Sequence, residues 1–155
     1  MLSTGEGLDP EVTRVVLADD HAKVRLGIRR LLERTGDICV VGEASNGIEA
    51  LELVEKLSPD ILLLDMEMPE LDGSQVAAQL KAMASPVRIL ALSAHDDRHY
   101  IMSMLNSGAS GYLTKEEAPD VLISAIRGVA RGEQGWMSQS VSEKISAWKS
   151  DGDSA

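Results

Sequence analysis

Three aspartates, a serine and a lysine stand just past the most apolar stretches of this 155-residue chain. Asp19 and Asp20 follow an aliphatic run at 15–18, and Asp65 follows Ile61-Leu62-Leu63-Leu64. Ser93 follows a run at 88–92, and Lys115 comes shortly after Tyr112-Leu113. Carboxylates brought together repel one another, and a divalent cation or an ammonium group relieves that cost. Oxygen-only ligands suit Mg²⁺ or Mn²⁺ better than zinc. A carboxylate beside such an ion can attack a phosphoryl group and give an acyl phosphate. The charge that develops on the phosphoryl oxygens is met by a metal, an ammonium group and a hydroxyl. Taken singly, each residue also has a plainer reading. Asp19-Asp20 would serve as a helix N-cap, Ser93 as a turn former and Lys115 as a solvated surface lysine. Their common placement at strand ends favours the chemical reading.

The pattern between these residues supplies the scaffold. Apolar runs at 15–18, 38–41, 61–64, 88–92 and 112–113 alternate with segments of helical period. The first such segment places Val24, Gly27, Ile28, Leu31 and Leu32 on one face. Asn46 caps a second, with Gly47, Ala50, Leu51, Val54 and Leu57 in phase. A loop at 69–73 precedes a third, carrying Val76, Ala77, Leu80, Met83 and Ala84 up to Pro86. The fourth carries Ile101, Met104 and Leu105, and the fifth starts near Pro119. Continuous apolar strands imply burial on both faces, as in a parallel sheet covered by helices. The expected fold is α/β: a doubly wound parallel sheet of five strands with five helices, a three-layer sandwich. All strand C-termini of such a sheet lie at one edge, where ligands bind. The expected organisation is a tail at 1–12, a domain at 13–132, and a linker or C-terminal helix at 133–155. That last segment carries a short helical pattern around Val141, Ile145 and Trp148.

Composition narrows the class further. With no Phe, two Trp and two Tyr, the core has to be aliphatic. The single Cys39 lies in an apolar run and reads as a buried thiol; alone it forms no internal disulfide, which fits a cytoplasmic protein. The N-terminus has neither a basic start nor an apolar stretch, so it does not read as a signal peptide. No apolar run is long enough to span a bilayer. The net charge of −10 disfavours direct contact with nucleic acid and suits divalent cations.

The motifs in order resemble a known family. Asp19-Asp20, the stretch from Leu63 through Asp65, Pro69 and Gly73, Leu92-Ser93-Ala94, and Gly108 through Tyr112 to Lys115 are similar to the receiver domains of two-component response regulators, the CheY-like family. The resemblance runs from Thr13 to Gly132 and implies the flavodoxin-like strand order 2-1-3-4-5. It implies Asp65 as phosphoacceptor, with Asp20, Asp65 and the backbone carbonyl of Glu67 as Mg²⁺ ligands and Asp19 acting through water. Ser93 would be the switch hydroxyl, and Tyr112 the aromatic that turns inward as Ser93 moves. Lys115 would bridge Asp65 and the phosphoryl group. Glu67 and His95 occupy positions that, by analogy, line the path of the hydrolytic water, although His95 also reads as a loop histidine with no role.

Glu116 stands where many receivers have proline. This acid, with the passages at 125–130 and 135–138, resembles the NarL/LuxR type. Members of that type usually continue into a helix-turn-helix domain. None follows here by Ala155, so no direct nucleic-acid binding is expected of this chain.

The expected function is a phosphorylation-dependent switch rather than an enzyme. A sensor histidine kinase would donate the phosphoryl group, and phosphorylation would favour a homodimer through either the face of the fourth helix, fifth strand and fifth helix or the face of the first and fifth helices. A haloacid-dehalogenase-type phosphatase would need a second aspartate where Glu67 stands. A flavodoxin-type module would need a Ser/Thr/Gly-rich phosphate loop in place of Asp19-Asp20-His21. A degenerate receiver serving as a protein-binding scaffold would not need the full set of Asp19, Asp20, Asp65, Ser93 and Lys115.

Overall fold

A computed structural model describes residues 12–94 and 96–150. The expected tail, apart from Val12, lies outside the described residues, as do His95 and residues 151–155. The elements are β1 (Thr13–Ala18), α1 (Ala22–Glu33), β2 (Ile38–Ala44), α2 (Gly47–Leu57), β3 (Ile61–Leu64), α3 (Gly73–Ala82), β4 (Arg88–Ser93) and α4 (Arg98–Asn106). They continue with β5 (Gly111–Thr114), α5 (Pro119–Ala130), β6 (Trp136–Met137) and α6 (Gln139–Ser150).

The strands form one parallel sheet in the order β2-β1-β3-β4-β5-β6. The expected alternation and order hold for the first five strands. The count needs correcting: among the described residues there are six strands and six helices. The added strand has two residues, too few for any period to show. It exists because β5 offers it an edge, with Gly111 opposite Trp136 and Tyr112 opposite Met137. Two glycines make the space. A Cβ on Gly111 would lie 2.3 Å from the Trp136 carbonyl oxygen, and one on Gly128 would lie 2.4 Å from the indole Nε1.

Alternation along the strands divides the core between the two faces of the sheet. Val15, Leu17, Ile61, Leu63, Leu90, Leu92 and Leu113 pack with Leu32 of α1 and Leu122, Ala125, Ile126 and Val129 of α5. Val16, Ala18, Leu62, Leu64, Ala91 and Tyr112 pack with side chains of α2, α3 and α4, and with Val141 of α6. The four residues of β3 are fully buried, as a central strand requires.

Local signals set the helix starts. The Asn46 side chain accepts the Glu49 N–H, and Asp72 with Gln75 closes a reciprocal capping box at α3. Pro119 occupies the first turn of α5. Two readings change. The third helix stops at Ala82, and Met83 is 58 % exposed rather than in phase with the core. The chain has to turn before Pro86, and it does so through Ala84 at φ 54°, with Ser85 N–H donating to the Leu80 carbonyl. Cys39 is exposed rather than buried, because it points outward between Ile38 and Val40 on the edge strand β2.

Candidate functional site

The C-terminal edge of the sheet gathers the five residues singled out by position. Backbone pairing carries the strand register one residue further: Asp19 N–H donates to the Ala44 carbonyl, and Asp65 N–H to the Ala18 carbonyl. Both carboxylates are thereby drawn inward, to 2 % and 4 % exposure, while Asp20 stays exposed. Lys115, just beyond β5, donates its backbone N–H to the Ser93 carbonyl and sends its side chain across the sheet. Its Nζ lies 2.5 Å from Asp19 Oδ2 and 3.4 Å from Asp65 Oδ2. The ammonium group therefore touches both acids, and Asp19 more closely.

The loop after Asp65 is held by close backbone approach. Gly73 N–H donates to the Met66 carbonyl, and a Cβ on Gly73 would sit 2.6 Å from the Asp65 carbonyl oxygen. The Glu67 N–H lies 3.5 Å from Asp65 Oδ1. The Glu67 side chain is exposed, and its carboxylate accepts from the Tyr100 hydroxyl of α4 at 3.5 Å. Ser93 and Tyr112 are both fully buried. Burial pushes the Tyr112 phenol up to about 12, with a hydrogen bond to the Ser93 side chain working the other way.

Burial is also the main influence on Asp65, whose pKa is raised; the field of Lys115 opposes that shift and the charge of Asp19 adds to it. Burial pulls Lys115 downward, but its hydrogen bond to Asp19 and the fields of Asp65 and Asp19 together outweigh that, and its pKa is raised. One ammonium group thus faces the two buried carboxylates, with the exposed Asp20 beside them. Ligand atoms of Asp19, Asp20, His21 and Asp65 all lie within 4.8 Å of one another. This donor set, deficient in positive charge, fits a small divalent cation.

Two neighbours escaped the sequence reading. His21 donates its N–H to Asp19 Oδ1 at 2.8 Å, and its Nδ1 lies 3.0 Å from Asp20 Oδ1. His21 is also the N-cap residue of α1, with no side-chain capping bond, so the plainer reading of Asp19-Asp20 as the N-cap does not hold. Arg25 bonds the Asp19 carbonyl through Nη1 at 2.5 Å and Glu43 through Nε at 3.2 Å, tying the acidic loop to β2. His21 could have been found from its place directly after the aspartate pair. For Arg25 the only signal was its helical position, which does not show that the side chain turns back.

Comparison with known proteins gives concordant matches. The family described as response regulator receiver domain matches residues 15–127. The probable transcriptional regulatory protein NarL of Mycobacterium tuberculosis is 42 % identical over 123 residues, 79 % of this chain and 57 % of that protein. The nitrate/nitrite response regulator protein NarL of Escherichia coli K12 is 38 % identical over 123 residues, with the same coverage of 79 % and 57 %. The chain thus spans little more than half the length of these relatives. Among solved structures, the receiver domain of the M. tuberculosis NarL superposes with a TM-score of 0.77 at 42 % identity, covering 80 % of this chain and 100 % of that one. A LuxR-family response regulator from Aurantimonas superposes with a TM-score of 0.84 at 33 % identity, covering 89 % and 98 %.

Proposed function

This chain belongs to the response regulator receiver domain family, of the NarL/LuxR type, and from that premise we propose that it is a switch thrown by phosphorylation of Asp65. The observation that carries the reading is the buried Asp65 carboxylate, set beside Asp19 and within 3.4 Å of the Lys115 ammonium at the ligand-binding edge of the sheet. A carboxylate oxygen of Asp65 attacks the phosphorus of a phosphohistidine on a sensor kinase. The new O–P bond forms as the P–N bond breaks, and the imidazole leaves. Asp20, Asp65 and the Glu67 carbonyl, with Asp19 through water, would hold Mg²⁺ (or Mn²⁺), which supplies positive charge to the carboxylates and the phosphoryl oxygens. Lys115 adds its own charge to the same oxygens, and Ser93 is the hydroxyl that moves toward them.

The output is a population shift between two arrangements around Ser93 and Tyr112. Homodimerisation follows from it. Of the two candidate faces, the α4–β5 side is covered by α6, whereas α1 buries only Leu32 and leaves Leu26 46 % exposed. The uncovered α1–α5 side is therefore the favoured one. A cytoplasmic location and control of transcription through a further domain complete the reading. Among the described residues no helix is long and apolar enough to cross a membrane.

The test is intact-protein mass after incubation with acetyl phosphate and Mg²⁺. The expected result is a gain of one phosphoryl group in the wild type, and none in Asp65→Asn or without metal. Stoichiometric labelling of Asp65→Asn would overturn the assignment.

A further inference from the structure

The charged groups at the sheet edge divide into two corners. In one, the Lys115 ammonium meets Oδ2 of both buried acids. In the other, Oδ1 of Asp19 and Oδ1 of Asp20 converge on the His21 ring, whose Nδ1 lies 3.2 Å from the first and 3.0 Å from the second.

The ring is brought there by the turn itself. The His21 N–H donates to Asp19 Oδ1 at 2.8 Å, which folds the chain back over the carboxylates. On the other side of the turn, Arg25 Nη1 holds the Asp19 carbonyl. His21 is the N-cap residue of α1, yet its side chain makes no capping bond. The side chain is 66 % exposed, so burial does not dictate its place either. Its ring nitrogen is directed at the two carboxylate oxygens instead.

These spacings are those of ligands that share an ion. Bonds of about 2.1 Å from a divalent cation to nitrogen or oxygen put neighbouring ligands about 3.0–3.4 Å apart, from right-angled to tetrahedral arrangement. Both Nδ1 distances fall in that interval. The wider envelope of 4.8 Å that includes Asp65 closes by rotation of the exposed Asp20 and His21 side chains. A hydrogen bond from Nδ1–H has a similar length, so the ion that the site prefers is what separates the two roles. Oxygen donors alone suit Mg²⁺, whereas imidazole suits transition ions. With His21 the donor set is no longer oxygen-only.

We propose that His21 is a further ligand of the cation site, through Nδ1, and that it opens the site to imidazole-binding divalent ions of the Zn²⁺ and Ni²⁺ class in competition with Mg²⁺. The ring takes a place beside Asp20 that water fills otherwise. This role rests on the reading of Asp20 and Asp65 as metal ligands.

Titration calorimetry with Zn²⁺ and with Mg²⁺ on the full chain tests it, alongside nitrogen NMR of the histidine rings. His21→Asn keeps a residue suited to the N-cap and exchanges the ring nitrogen for an amide oxygen. The ratio of Zn²⁺ to Mg²⁺ affinity should fall in this variant by about tenfold. In the wild type, saturating Zn²⁺ should move the His21 Nδ1 resonance, identified by its loss in His21→Asn, to the metal-bound range. An unchanged affinity ratio, as a purely structural role predicts, would overturn the proposal, and so would an Nδ1 resonance that stays in place. Asp65→Asn separates this failure from that of the underlying reading. If Mg²⁺ binding drops in Asp65→Asn but Zn²⁺ binding ignores His21, only the role of His21 falls. If neither ion responds to Asp65→Asn, the cation site is elsewhere and both readings fall together.

Discussion

Asp65 must carry its charge where burial and the neighbouring Asp19 both oppose it. Its pKa is raised in the folded protein, so the ionised form weakens the metal-free fold at neutral pH. Asp65→Asn keeps the shape and removes the charge. The variant should be more stable than the wild type by on the order of 1 kcal/mol in the presence of a chelator, or about 2–4 °C in melting temperature. The sign with pH comes from the raised pKa: the wild type recovers stability as pH falls through the folded value, so the advantage of the variant should shrink on acidification. Thermal melts of the two proteins from neutral pH downward check this, and a variant less stable than the wild type throughout would contradict it. Lys115 is the counterweight, and its closer partner is Asp19 rather than Asp65. The ammonium group is thus held in place by one acid while it remains within reach of the other.

At the scale of elements, the loop after Asp65 is set by the start of the next helix. The capping box of Asp72 and Gln75 begins α3 seven residues after Asp65, and Gly73 presses its backbone against the Asp65 carbonyl. Asp72→Ala removes both the side-chain acceptor and the reciprocal bond, and should cost about 1 kcal/mol in urea unfolding. An unchanged midpoint would mean that packing of Val76, Ala77 and Leu80 alone sets the start of α3. The helix starts were legible because their signals are local: Asn46 and Pro119 each act on groups within a turn of themselves. The end of α3 was less so. Helical period continues through Met83 and Ala84, but the need to reverse before Pro86 wins, and Ala84 takes a left-handed conformation to do it.

At the scale of the whole molecule, a chain of net charge −10 concentrates three carboxylates at one sheet edge, with the Lys115 ammonium set against them. A ligand that binds only the folded state stabilises it by mass action. Mg²⁺ at ten times its dissociation constant should therefore add about 1.4 kcal/mol to the wild type. A melting-temperature titration with Mg²⁺ checks this; an equal rise in Asp65→Asn would place the ion elsewhere. The sequence by itself determined the strand-helix alternation, the aliphatic core, and the delivery of Asp19, Asp20, Asp65, Ser93 and Lys115 to one edge. These depend on hydrophobic runs and on the residue that ends each run, and both are local properties. Only the tertiary structure decided the sixth strand, the docking of α6 beside Tyr112, and the exposure of Cys39 on an edge strand. It also decided which acid Lys115 grips, since Asp19 lies 96 positions away along the chain. A two-residue strand has no period to read, and contacts of that range are set by how the strands stack rather than by any pattern within them.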